Sequence, residues 1–408
     1  MNLKLKYGKQ LLAFDFPSET VTPHFTEPVY EISKEKFQDD LNKNLPESGG
    51  KYSNVAIVVS DKTRLCGYPL YLPWITELLM QKGANAENIT FYIAYGTHAR
   101  QTDEESLSGY GDTYNKFRFV HHDCTDTTIF TDFGYTKRGT PVAFRTDIVN
   151  SSLLITFGSI SHHYFAGYGG GRKMLFPGLA PKLAVYHNHG LFLDIPGRRL
   201  HPGCQPGQLD GNPIAEDLKE IDSFAPAKIS IHGILNSEAK VCQLITGRTY
   251  DDFLAACKIH DNYFRYRSDE KYDLVVASGG GYPKDINFIQ AHKSVHHAAA
   301  FVKDGGKLIV LLECVDKIGS NYFMKYIETG SFAAAFNILE RNYEGNGGTA
   351  LSMMQKAGRI QIYMVTSLDE ETCRALGAKK VDESEAQKII DSSNGSIAAI
   401  ANASMLVK

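Results

Sequence analysis

The sequence predicts an α/β protein in two domains. The N-terminal one is larger and built on a mostly parallel sheet; the C-terminal one is a smaller α/β unit. Three observations carry that expectation. Short apolar runs of strand length recur, each ending in a polar edge. Helix-period patterns separate them, the alternation of a parallel sheet covered on both faces. The chain has 408 residues and is 43% hydrophobic, more than one ordinary core holds. The stretch 264–271 (FRYRSDEK) is polar and poor in strand formers, so the domains are expected to be 1–268 and 269–408.

The elements follow in order. Residues 3–16 alternate over two short runs with Gly8 and Lys9 between them, a hairpin pattern. Residues 55–60 (VAIVVS) form a buried strand that ends at Asp61, Lys62, Thr63 and Arg64. A helix pattern covers 70–82 and is closed by Gly83. A strand at 89–95 runs into Gly96, Thr97 and His98, and runs at 117–120 and 153–157 repeat the pattern. Residues 228–235 and 240–245 flank Asn236 and Ser237 as a second hairpin. Further strands are expected at 274–277, 307–312 and 360–366. The first domain is thus Rossmann-like, and ligands of such sheets bind beyond the carboxyl ends of the strands. Arg64, His98 and the His162-His163 pair all fall at such ends. The cleft between the two domains is the expected seat of an active site.

Composition excludes several classes. A net charge of −3 provides no electrostatic footprint for nucleic acid or an anionic membrane. None of the seven cysteines forms a CxxC pair, against a disulfide framework or a zinc knuckle. The first residues lack the apolar core of a signal peptide, and no run of about 18 apolar residues exists. A cytoplasmic protein is the default expectation.

The stretch 161–178, SHHYFAGYGGGRKMLFPG, concentrates chemistry-bearing residues. Gly169, Gly170 and Gly171 let the backbone approach a bound group, and the basic pair Arg172 and Lys173 follows directly. It is neither a P-loop nor G-x-G-x-x-G, and the run alone fits a structural turn as well as a ligand loop. Lys173 in that place suits either a phosphate or a covalent bond to a cofactor. His187 and His189 lie in VYHNHG, which also reads as a helix end closed by Gly190. A single histidine holds a metal when a cofactor supplies the other donors. His98 and His163 suit an acid/base pair on opposite sides of a substrate. Arg64 suits a carboxylate, with a surface ion pair equally open. Gln290 and Lys293 are three apart in 279–293 and share a helix face. His121, His122, His292, His296 and His297 read as structural residues or as supports for residues of the site.

In this order the pieces resemble the nickel-dependent lactate racemase family, racemases and epimerases of hydroxy acids that use a nickel-pincer nucleotide. Its D-x-T-R motif is similar to 61–64, its G-T-H motif to 96–98, and its H-x(3)-G-Y-x-G-G-x-K segment to 163–173. Its later metal-binding histidine matches His189, and its G-Y-P-x-D-x-N-x-x-Q-x-x-K segment matches 281–293. The resemblance implies that Lys173 binds the pyridinium-based cofactor covalently through a thioacyl group and that His189 ligates nickel. It implies that His98 and His163 are alternating bases. One takes the hydroxyl proton while hydride leaves the α-carbon for the cofactor, and hydride returns to the other face of a planar 2-oxoacid. Arg64, Gln290 and Lys293 would hold the substrate, and Asp61, Thr63, Gly169 and Gly170 would contact the cofactor. Partners implied are a small 2-hydroxy acid and the host's cofactor-making proteins, with neither nucleic acid nor membrane.

The chain departs from the pattern in places. Its glycine run replaces a serine and an alanine of the lactate enzyme. Its only tryptophan, Trp74, lies in the first helix pattern, so a C-terminal tryptophan wall is absent. His162 and His292 add polar groups. These differences raise the expectation of a larger, more polar substrate such as a sugar acid, epimerised at C2. The alternatives are lactate itself, a phosphate-handling kinase or ligase, and a non-catalytic two-domain binding protein.

Overall fold

The structure is a computed structural model that describes residues 1–47, 52–225 and 228–408. The chain forms two compact units. One comprises Glu27–Leu191 and Gly203–Asn262; the other comprises Met1–Thr26, Phe192–Pro202 and Tyr263–Lys408.

The first unit carries a six-stranded sheet. Its order is Val241–Gly247, Lys228–Leu235, Leu153–Ser159, Val55–Ser60, Ile89–Ala94, Arg118–His121. All neighbours are parallel except the Val241–Gly247 edge, which returns antiparallel as the expected hairpin. The VAIVVS strand is buried at every position, which places its β-branched run in the middle. The strands next to it in sequence lie on one side and Leu153–Ser159 on the other, so the order reverses between these two strands. That reversal is the topological switch point, where open α/β sheets bind ligands.

Buried tyrosines fix the strand ends there. Tyr68 Oη accepts from Ser60 N at 2.7 Å and donates to Phe157 O at 2.8 Å. Tyr110 Oη donates to Ser60 O at 2.9 Å. The helix carrying Tyr68 is Tyr68–Gln81, two residues longer at its start than its apolar period suggested. Gly67 enters it in the left-handed conformation, and a proline sits in the first turn, where no N–H is needed.

The second unit has a five-stranded, all-parallel sheet ordered Ala378–Lys380, Gln361–Val365, Val302–Leu311, Tyr272–Ser278, Ile397–Ile400. The hairpin Asn2–Tyr7 and Gln10–Asp15 pairs Tyr7 with Gln10 across the two-residue turn. It packs in this unit: Leu5, Phe14 and Phe16 share a core with Leu274, Val276, Ile309 and Leu311. The Gly8 amide donates to Asp285 Oδ2 at 2.8 Å. The polar stretch expected to divide the domains follows the helix Tyr250–Phe264 and leads into the strand Tyr272–Ser278. All seven cysteines are free thiols. Among the described residues no helix is long and apolar enough to cross a membrane.

Two buried imidazoles in the first unit make its stability depend on pH. Burial chiefly pushes His122 and His232 down to about 4. Both are neutral in the fold, whereas an exposed histidine protonates near 6.5. The stability they contribute is complete above that value and is lost as pH falls towards 4. Between pH 7 and 5 each is expected to remove about 2 kcal/mol. Urea unfolding at the two pH values, repeated on His232→Gln, measures it; equal curves at both would refute the assignment.

Candidate active site

The polar edge after Val55–Ser60 is a 3-10 turn, Lys62–Arg64, capped by Asp61. Asp61 is 2% exposed. Its Oδ1 accepts from Thr63 N at 2.7 Å and Thr63 Oγ1 at 2.6 Å, and its Oδ2 meets His98 Nδ1 at 2.7 Å. Burial alone would raise its pKa. The His98 hydrogen bond and charge, then Arg64 and Thr63, outweigh burial and hold the carboxyl well below the usual range. An ionised acceptor on Nδ1 puts the ring proton of His98 there and leaves the Nε2 lone pair outward, as a base requires. His98 and Arg64 are both exposed, so each is open to a substrate.

The glycine run forms a second 3-10 turn, Gly171–Met174, rather than the start of a longer helix. Met174 seats it on the switch point. A Cβ on Gly158 would lie 2.5 Å from Met174 Sδ, and Ser60 Oγ approaches the same sulfur at 3.6 Å. Gly170 caps the turn at φ 73°, ψ −167°, a region open essentially to glycine alone, and a Cβ there would collide with the Ser159 carbonyl oxygen. Gly170→Ala is expected to cost about 1–3 kcal/mol in backbone strain alone. Its measured sign should be faster proteolysis across the turn and a lower Tm; an unchanged protein would mean the turn has another geometry.

Phe165 gathers the side chains above this turn. Its ring centroid lies 4.5 Å from that of His163 and 5.1 Å from that of His189, with Lys173 Nζ at 5.6 Å. His163 ends the strand Ser161–His163, which pairs with Gly167–Gly169. The Ala166 amide donates to His163 Nδ1 at 3.2 Å, so the neutral ring carries its proton on Nε2. His98 and His163 are thus held in opposite tautomers, one a proton acceptor at Nε2 and the other a donor.

His189 lies on the helix Lys182–Gly190. Burial first, then Lys173, Arg64 and His98, push it down to about 3. Those influences join Arg64 and His98 electrostatically to the Phe165 group. His189 Nε2 is buried and has no hydrogen-bond partner among the described residues. A neutral imidazole with a buried, unclaimed lone pair is the donor a metal needs. Among the described residues no group of three or more His, Cys, Asp or Glu side chains is arranged to hold a metal. A metal here would take its other donors from a cofactor, and the cradle of Gly170 and Lys173 fits such a group.

The histidine two residues before is separated from His189 by the helical period: His187 Nδ1 pairs with Thr140 Oγ1 at 3.0 Å. His162 points away from His163 and meets Asp261 Oδ1 at 2.8 Å, and Tyr168 Oη donates to the same oxygen at 2.9 Å. Asp261 therefore ties together the facing pair His162 and Tyr168 and stiffens the ladder that carries His163. His121 lies between the Tyr95 and Tyr114 hydroxyls, and His122 reaches Ala180 O, both structural as expected. Gln290 and Lys293 belong to the second unit, on the helix Phe288–Ala299; Lys293 Nζ donates to Gln290 Oε1 at 2.8 Å, the shared face that their spacing suggested. Sequence reasoning missed Phe165 and Asp261. Phe165 stood inside the motif with no chemistry to mark it, and Asp261, far along the chain, left no signal.

The family models of the lactate racemase N-terminal domain and C-terminal domain match residues 7–200 and 268–346, well over half of the chain. A lactate racemase of Thermoanaerobacterium thermosaccharolyticum is 27% identical over 339 residues, covering 80% of this chain and 78% of its own length. One of Lactiplantibacillus plantarum is 30% identical over 279 residues, covering 67% and 63%. The fold is similar to the structure of the lactate racemase apoprotein from Thermoanaerobacterium thermosaccharolyticum, with TM-score 0.88, 25% identity, and coverage of 100% of this chain and 99% of that one. A crystal structure from Thermotoga maritima shares the fold at TM-score 0.71 and 18% identity, over 94% of this chain and 99% of that one.

Proposed function

The chain belongs to the lactate racemase family, and on that premise we propose that it inverts C2 of a small 2-hydroxy acid, lactate in the first instance. The observation that carries this reading is the pair of histidines in opposite tautomers, His98 on Asp61 and His163 on the Ala166 amide. Inversion needs a base on one face and an acid on the other, exchanging roles with direction.

We further propose that a nickel-pincer nucleotide binds here, with Lys173 as its covalent anchor and His189 as the protein's nickel ligand. Thr63, Gly169 and Gly170 would contact its remainder. When bound, this group supplies a reversible acceptor for the two electrons of the C2–H bond. The chain's own residues do the rest. Arg64 holds the substrate carboxylate through its guanidinium fork. His98 Nε2 removes the hydroxyl proton of one enantiomer. His163, as the imidazolium, would return its Nε2 proton to the carbonyl oxygen of the planar 2-oxoacid once it is presented by its other face; the neutral ring left behind, protonated on Nδ1 with the Ala166 amide bond released, would then serve as the base in the reverse direction. Asp61 is a positioning residue that keeps His98 in the required tautomer. Gln290 and Lys293 are proposed as further substrate contacts on the resemblance alone.

The sugar-acid expectation loses one support, because the side chain of His162 is 2% exposed and held by Asp261. Lactate is also the substrate in the names of the relatives. The test uses protein from its native host and follows each enantiomer of lactate and of a C2-epimeric sugar acid in deuterated water. Racemisation without deuterium at C2 is expected, with Lys173→Ala losing both turnover and a cofactor-sized increment of intact mass. Solvent deuterium at C2 would overturn hydride return, and turnover of the sugar acid alone would overturn lactate.

A further inference from the structure

Beside the Gly171–Met174 turn, a small cavity of about 20 Å³ lies between the turn, the strand Lys228–Leu235 and the helix Tyr250–Phe264. Lys228, Ser230 and His232 line it from the strand, spaced by two and so on one face. Arg172 enters from the turn, and Arg248 and Thr249 from the start of the helix. Phe253 forms its floor, with the Arg172 guanidinium carbon 4.7 Å from the ring centroid and the His232 ring at 6.1 Å.

Its polar groups are not satisfied. Arg172 is 3% exposed, and among the described residues neither its Nε nor its Nη1 has a hydrogen-bond partner; Nη2 makes one 3.4 Å bond to Ala166 O. His232 is 1% exposed, and among the described residues neither ring nitrogen has a hydrogen-bond partner. Burying an uncompensated guanidinium costs several kcal/mol, which a counter-anion removes. The carboxylates nearby are already used. Asp222 accepts from Lys228 Nζ at 2.7 Å, and Asp252 accepts from the amides of Arg248 and Thr249 at 2.9 Å each. Arg172, Lys228 and Arg248 then outnumber Asp222, the carboxylate in the cavity wall.

We propose that this cavity is a second, separate binding site for a phosphate-class oxyanion, inorganic or carried as a phosphomonoester. Three cations on different elements, with the Ser230 hydroxyl, which accepts from Thr156 and keeps its own proton, beside them, match a doubly charged, many-sided acceptor better than a carboxylate with one charge and one plane. Arg172 and Lys173 are consecutive in one short turn, so an anion bound to Arg172 stiffens the turn that presents Lys173. The site needs no assumption about the reaction.

The test is calorimetric titration of inorganic phosphate, glycerol 3-phosphate and acetate into cofactor-loaded protein in low-chloride buffer. One site with Kd below about 1 mM is expected for phosphate or the phosphomonoester, whichever binds tighter naming the source, and none for acetate. Arg172→Gln should abolish binding. Arg248→Gln, at an exposed position that does not endanger folding, should weaken it at least fivefold, while Thr63→Val leaves it unchanged. Hydrogen exchange across residues 170–175 should slow when the anion is added. The proposal is overturned if no saturable binding occurs, if Arg248→Gln and His232→Gln have no effect, or if loading the cofactor or changing Thr63 removes the binding. The last result would assign the anion to the cofactor's own phosphate.

Discussion

His98→Gln and His163→Gln should each slow racemisation by about 10²–10⁴-fold, the usual weight of a positioned acid or base. The informative part is what survives. Each variant keeps one base, so each should still convert one lactate enantiomer to the 2-oxoacid in a single turnover, and the two variants should keep opposite enantiomers. Rapid quench with chiral analysis reads this directly. If both variants lose the same enantiomer, the two histidines act on one face and the two-base assignment fails. Two imidazoles held on different elements, His98 by Asp61 and His163 at the end of the strand Ser161–His163, are the reason to expect the split.

Asp61→Asn should lower kcat almost as far as removing His98, about 10²–10⁴-fold, with little change in KM, because the lost group touches the base and not the substrate. A neighbouring carboxylate that sets an imidazole's tautomer has this weight in hydrolytic triads. A second readout separates positioning from plain structural damage. The Asp61 carboxyl is held below the ordinary range, so its ionised form contributes stability above about pH 4 that disappears as pH falls further. The stability gap between wild type and Asp61→Asn should therefore narrow from pH 6 to pH 3. A gap that stays constant would mean the carboxylate has no special partner in the fold.

Much of the first unit was legible because its signals are local. VAIVVS is a buried strand by composition, and a polar edge directly after it has nowhere to go but the sheet's carboxyl end. The first hairpin was readable from its two-residue turn and the second from the Asn236-Ser237 pair in its five-residue connection. The candidate residues were legible as residue types in a given order, and the shared face of Gln290 and Lys293 followed from helical period. What was hidden depends on long-range pairing. Nothing in the chain from Val55 to Phe157 says that these two strands are neighbours, yet their adjacency creates the switch point. Asp61 was read as a cofactor contact because its bond to His98 spans 37 residues. Phe165 and Met174 were silent because apolar side chains signal burial and not what they bury against. Arg172 was read only as part of a basic pair, since sequence does not tell which of two consecutive cations turns inward.

The hairpin at residues 2–15 has a consequence for how the molecule is made. Its apolar face, Leu5, Phe14 and Phe16, is completed by strands that begin at Tyr272. At a synthesis rate of roughly 5–20 residues per second, that partner emerges roughly 10–50 s later. The intervening unit has all its own strands by Gly247 and can close first. Until then the hairpin waits on the growing chain with an open hydrophobic side, so a slowed ribosome prolongs its exposure and chaperones that hold short apolar segments would find it there.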